Sequence, residues 1–223
     1  MVIINDDYEN AVIKGKGVDG CSVDEVNDPV NSKIPEASQT LGVTDKQDNR
    51  TIGLSEDELF AQFLDAEEKA GLLRMYTPDK AKKQARRLFN CALGDMQEYG
   101  VEVLSVKNLA DIFKSKGNDA MMLFKEYPFA IFSYTVAIAL CGDNAIYYCN
   151  RAAAYTQTKQ YTEAISDCQK AIELDSSYRK AYSRLGSVYF AQGKYNDAIH
   201  KGFKKALQLD PDNESMKGYI QAA

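Results

Sequence analysis

The chain repeats one helix-turn-helix pattern with a step of 34 residues, from Ala145 to Arg179. Aligning these two copies pairs Tyr148 with Tyr182, Ala152 with Gly186, Tyr155 with Tyr189, Tyr161 with Tyr195 and Ala164 with Ala198. A third copy begins at Ala110 and places Gly117, Tyr127, Ala130, Tyr134 and Ala137 at matching positions. A fixed period constrains a fold strongly, because each unit cannot bury its own apolar face and must stack on its neighbours. Small residues at Gly117, Ala152 and Gly186, and at Ala130, Ala164 and Ala198, let the two helices of a pair approach closely, and Tyr155 and Tyr189 fill the space between pairs. Asn144 and Pro211-Asp212-Asn213 supply turn chemistry between helices.

This period and small-small-aromatic spacing are the signature of the tetratricopeptide repeat. The expected fold is all-α: a right-handed superhelical array of three helix pairs over 110–144, 145–178 and 179–213. A partial capping helix over 214–223 covers the last repeat, with Met216, Tyr219 and Ile220 spaced to pack back on it. Two register faults stand out. Gly117 to Ala130 is one residue longer than Ala152 to Ala164, and the extra residue fits the turn after Met121-Met122-Leu123-Phe124. Ala198 to Ala206 is one longer than Ala164 to Ala171; this extra residue falls inside a helix near Gly202 and predicts a π-type bulge.

Before the repeats the pattern changes twice. Residues 1–54 lack periodicity, carry ten Asp/Glu against five Lys/Arg, and read as a disordered acidic tail, with a short strand near Val2–Ile4 or Val12–Ile13 as an alternative. Residues 55–100 read as a two-helix module: Ser55-Glu56-Asp57-Glu58 is a capping box, and Thr77-Pro78-Asp79 opens a second helix that stops at Gly100. Residues 101–109 are a linker. Two amphipathic helices make a poor core alone, so their stripes dock either on the repeats or on a second copy of the module.

Positions three, four or seven apart on a helix share a face. In the first helix of each repeat, one such face carries Asp111, Lys114, Ser115 and Asn118; then Ile146, Cys149, Asn150 and Ala153; then Lys180, Ser183, Arg184 and Ser187. Three cations, two amides and small side chains around one acid suit a peptide with paired carboxylates. Arg binds a carboxylate with two parallel hydrogen bonds, and an Asn amide both donates to a carboxylate and fixes a peptide backbone. Lys114, Asn118, Asn150, Lys180 and Arg184 are the candidate carboxylate-binding residues, and Ala153, Ser183 and Ser187 the candidate groove lining. The mode is capture of a C-terminal carboxylate.

These residues carry a family resemblance. Lys114-Ser115-Lys116-Gly117-Asn118, Asn150-Arg151-Ala152-Ala153-Ala154-Tyr155 and Lys180-Ala181-Tyr182-Ser183-Arg184 resemble the clamp motifs of the carboxylate-clamp tetratricopeptide co-chaperones. Phe60-Ala61-Gln62-Phe63-Leu64 and the helix from Lys80 to Tyr99 are similar to the N-terminal helices of that family's small glutamine-rich members, in a plant-like form. The resemblance implies a co-chaperone adaptor that binds the Glu-Glu-Val-Asp tails of the seventy- and ninety-kilodalton heat-shock chaperones. It also implies a homodimer or a ubiquitin-like partner through 55–100, and a place in tail-anchored protein targeting. The family's Gln/Met-rich client-holding region has no counterpart in 214–223. The alternative function is a general scaffold for another acidic peptide.

Other classes find little support. Outside 1–54 the chain holds 22 residues of each charge, so no strongly basic region points to nucleic acid. Five scattered cysteines without a C-x-x-C pair read as reduced thiols, with Cys149 and Cys168 as small buried groups, and imply a cytoplasmic protein, with the nucleus also open to it. No signal peptide opens the chain, no stretch approaches the roughly 18 apolar residues of a membrane span, and the triplets at Asn49 and Asn213 are chance matches to a glycosylation site. One histidine, His200, no Gly-rich phosphate loop and no metal-ligand spacing leave no basis for an enzyme, a cofactor or a metal.

Overall fold

The computed structural model describes residues 53–222. Apart from Gly53 and Leu54, the acidic stretch lies outside the described residues, and so do Cys21, the Asn49 triplet and the alternative strand. Leu54 itself donates its backbone N–H to the Leu104 carbonyl at 2.8 Å.

Every regular element among the described residues is a helix. Helices α1 (Glu56–Lys69) and α2 (Pro78–Glu98) form the N-terminal pair. The repeats comprise α3 (Val106–Asp119) with α4 (Tyr127–Leu140), α5 (Ala145–Gln157) with α6 (Tyr161–Leu174), and α7 (Arg179–Ala191) with α8. Helix α8 is continuous through Tyr195–Asp197, Ala198–Phe203 and Lys204–Leu209, and α9 (Glu214–Ala222) caps the array. The capping box at Ser55 is complete: its hydroxyl accepts from the Glu58 N–H, and the Glu58 carboxylate accepts from the Ser55 N–H at 2.9 Å. Thr77 precedes Pro78 at the start of α2, but its hydroxyl makes no cap hydrogen bond. Helix α3 starts at Val106 under a Ser105 cap, so 106–109, expected as linker, form its first turn.

Of the two destinations open to the N-terminal stripes, the structure shows docking on the repeats. Leu59, Phe60 and Phe63 of α1 and Ala85, Phe89, Ala92 and Met96 of α2 share one core with Ile112, Phe113, Val136 and Tyr147. Phe63 stacks on Phe113 with ring centroids 5.5 Å apart. The stripes expected to dock on the repeats or on a second copy are thus spent on the repeats. A two-helix module too small for its own core gains more by joining an existing one.

Both extra residues are absorbed as π turns. The expected bulge near Gly202 spans Ala198–Phe203. The extra residue of the first repeat sits not in the turn but in a π-helical Ala120–Phe124 that extends α3. The turn that follows matches the others: Lys125, Lys159 and Gly193 each take a left-handed conformation, at φ 54°, 59° and 74°. Widening the last helical turn preserves that turn geometry and lets Ala130 pack as Ala164 and Ala198 do, fully buried. It leaves Met122, Leu123 and Phe124 exposed.

Close approach within pairs depends on glycine in the first and third repeats. A Cβ on Gly117 would lie 2.6 Å from the Tyr134 ring. A Cβ on Gly202, in the π turn, would overlap the Gly186 backbone, so α7 and α8 cross there backbone to backbone. Tyr189 is buried between successive pairs and Tyr155 half-buried.

Candidate carboxylate-binding groove

The first helices of the three repeats, α3, α5 and α7, supply the five candidate residues. Asn118 leaves α3 one residue after Gly117, ahead of the π turn, so the extra residue does not shift it. Its Oδ1 accepts two hydrogen bonds, from Tyr134 Oη at 2.8 Å and from Asn150 Nδ2 at 3.1 Å. With Oδ1 saturated, the Asn118 NH2 is the group left to donate to a ligand.

Arg151 beside Asn150 faces the opposite way. Its guanidinium donates to both Asp167 carboxylate oxygens at 2.8 Å and to Thr135 Oγ1 at 3.0 Å, between the rings of Tyr148 and Tyr155. This bidentate pair ties α5 to α4 and α6 and fixes the helix that presents Asn150.

Lys180 and Arg184 are exposed on α7 and make no ion pair among the described residues. Both charges converge on Cys149, the buried neighbour of Asn150. Burial pushes the Cys149 thiol above its ordinary pKa, and the Arg184 and Lys180 charges work against that rise. Burial likewise raises the Tyr134 and Tyr178 hydroxyls, and Arg184 opposes it at both. Lys114 is different: its Nζ is bonded to Asp111 Oδ1 at 2.9 Å.

The groove-lining residues divide. Ala153 is buried in the floor. Ser183 turns its hydroxyl to Met216 Sδ of the capping helix at 3.1 Å, and Ser187 donates to the Ser183 carbonyl, so both hydroxyls expected in the groove are used within the protein. Tyr147 escaped the sequence reading: fully buried, it donates to Asp111 Oδ1 at 2.9 Å. Its place in the repeat holds Ile112 and Ala181 in the other copies, so no periodic signal marks it. Among the described residues no group of His, Cys, Asp or Glu could hold a metal ion, and no helix is long and apolar enough to cross a membrane. Cys91, Cys141, Cys149 and Cys168 are free thiols.

Comparison with known proteins places these features in context. The description "Tetratricopeptide repeat" matches residues 145–178 and again 179–213. Over 119 residues the chain is 44% identical to Small glutamine-rich tetratricopeptide repeat-containing protein 2 of Saccharomyces cerevisiae, covering 52% of this chain and 34% of that protein. It is 36% identical over 147 residues to Hsp70-Hsp90 organizing protein 2 of Arabidopsis thaliana, covering 65% of this chain and 23% of the relative. The solved tetratricopeptide domain of Arabidopsis OM64 is 36% identical, covers 53% of this chain and is itself covered to 96%, with a TM-score of 0.50. The chain thus spans about a third of the length of the small glutamine-rich relatives that it matches.

Proposed function

The chain belongs to the tetratricopeptide-repeat family, and from that premise we propose that it is a non-catalytic co-chaperone adaptor. Its groove binds the free C-terminal carboxylate of an acidic peptide, of the kind that ends the cytosolic seventy- and ninety-kilodalton heat-shock chaperones. The observation that carries this reading is the bond between Asn118 and Asn150, together with two exposed cations of the third repeat, Lys180 and Arg184, that make no ion pair among the described residues. Each first helix contributes a donor, and among the described residues no carboxylate engages the two cations of the third. The names of relatives such as Hsp70-Hsp90 organizing protein 2 agree with it. The residues divide the work: Arg184 takes a carboxylate through two parallel bonds, Lys180 adds a point charge, and the two amides hold the terminal carboxylate and backbone. Charge-assisted bonds of about 1.5–3 kcal/mol each, less the cost of association, leave micromolar affinity. A cytoplasmic location is the one that fits a ligand of this kind.

Calorimetric titration with a peptide ending Glu-Glu-Val-Asp, beside its C-terminally amidated twin, tests the reading. Micromolar binding of the free acid, lost on amidation and lost in Arg184→Ala and Lys180→Ala, is the expected result. Binding that survives amidation would replace the clamp with a general groove for acidic peptides.

A further inference from the structure

Of the three cations in the groove, Lys114 alone is already paired among the described residues, and its partner is the one acid on that face. Asp111 Oδ1 receives two donors at once, the Lys114 ammonium and the Tyr147 hydroxyl, each at 2.9 Å. Tyr147 is fully buried, so its hydroxyl is a fixed point and holds the carboxylate in place. The bond from Tyr147 on α5 to Asp111 on α3 crosses from one first helix to the next, which sets Asp111 in the floor between them. Lys114 and Asp111 remain 28% and 39% exposed, so their charges reach the space that a ligand enters. The position in the repeat is not fixed as acidic: the equivalent residues are Ile146 and Lys180.

We propose that Asp111 is an internal competitor for the ligand's carboxylate at Lys114 and thereby limits the affinity of the groove. The proposal rests on the clamp reading above. Asp111 cancels the charge of Lys114 and repels an approaching carboxylate, so the groove is close to neutral at the first repeat and doubly positive at the third. A ligand carboxylate reaches Lys114 only by sharing or displacing the Asp111 contact, and Tyr147 resists that displacement. The residue is a specificity determinant: it disfavours an added negative charge on the ligand near the first repeat while leaving Lys180 and Arg184 open.

The test compares the full chain with Asp111→Asn, Lys114→Ala and the double variant in titrations with the Glu-Glu-Val-Asp peptide at low and high salt. Asn keeps an acceptor for Tyr147 and Lys114 and removes only the charge. Asp111→Asn is expected to bind about three- to tenfold more tightly at low salt, with a smaller gap at high salt. The gain disappears when Lys114 is also Ala. Tyr147→Phe, which keeps the carboxylate but lets it move aside, is expected to tighten binding by less than Asp111→Asn. Affinity unchanged or weaker in Asp111→Asn, with wild-type melting, overturns the proposal; should that variant melt early, Asp111→Ser carries the same comparison. A wild-type chain that does not bind the peptide at all instead defeats the clamp reading, and this proposal with it.

Discussion

Asn150 donates its side-chain N–H to Oδ1 of Asn118 across 3.1 Å, joining the first helices of two successive repeats at the floor of the groove. Because Tyr134 fills the same oxygen, Asn118 is pinned with its amide nitrogen available. Asn118→Asp retains the acceptor that Tyr134 and Asn150 use and replaces the free donor with a charged oxygen. Losing one charge-assisted bond of about 1.5–3 kcal/mol and adding repulsion weakens the peptide at least tenfold, by roughly the conversion of 1.4 kcal/mol per decade. Calorimetry and a thermal melt check this together: affinity falls while the melting temperature moves little.

Arg151 and Arg184 share the basic side chain and differ in everything that surrounds it. Arg151 lies largely buried between α5 and α6, paired with Asp167, whereas Arg184 is exposed and makes no ion pair among the described residues. Arg151→Ala leaves the Asp167 carboxylate buried and alone, which costs about 3–5 kcal/mol. Arg184→Ala leaves stability within about 0.5 kcal/mol, as expected of an exposed site. Urea denaturation of both variants should separate them by midpoint, in the reverse order of their effects on peptide binding.

Much of this organisation was legible before any coordinates. The repeats declare themselves because Gly117, Ala152 and Gly186 stand where two helix backbones must approach, a steric demand that few residues meet. Counting from Ala198 to Ala206 was enough to place a π turn, because a helix can absorb one extra residue only by widening. The same count in the first repeat pointed to the turn, whereas the extra residue sits in the helix. What decides between them is the left-handed residue at Lys125, whose conformation matches Lys159 and Gly193, and a lysine does not announce that conformation as glycine does. The five candidate residues were legible as a face, but their partners were not. The bond between Lys114 and Asp111 depends on which way a flexible ammonium turns, and Tyr147 enters through a contact 36 residues away. The destination of the N-terminal helices depended on the complementarity of Phe63 and Phe113, which spacing along either helix does not encode.

Lys159 closes the turn of the second repeat at φ 59°, where a Cβ crowds the backbone, while the third repeat uses Gly193. Lys159→Gly relieves that strain of about 1–2 kcal/mol and loses part of the gain to the greater freedom of glycine in the unfolded chain. A net stabilisation of about 0.5–1 kcal/mol is expected. Gly193→Lys in the third repeat should shift the denaturation midpoint by a similar amount in the opposite direction.

Glu67 on α1 gives the molecule a pH dependence of definite sign. It is fully buried, and neither carboxyl oxygen finds a hydrogen-bond partner among the described residues. Burial pushes its pKa from 4.5 up to about 8, since the low-polarity surroundings disfavour the charged form. Below about pH 4.5 the carboxyl is neutral in the folded and unfolded chains alike and imposes no pH dependence. Between about 4.5 and 8 the unfolded chain releases its proton while the folded chain keeps it, so folding becomes less favourable as pH rises, by at most about 1.4 kcal/mol per pH unit. Above about 8 both states are ionised and the loss is constant. Glu67→Met replaces the buried acid with an apolar chain of similar length and abolishes this dependence. Its melting temperature should exceed that of the wild type at pH 8 by several degrees, with a much smaller difference at pH 4.5. The docked α1–α2 pair is the part that gains. A variant that melts below the wild type at pH 8 would mean that the Glu67 carboxylate has a stabilising partner in solution.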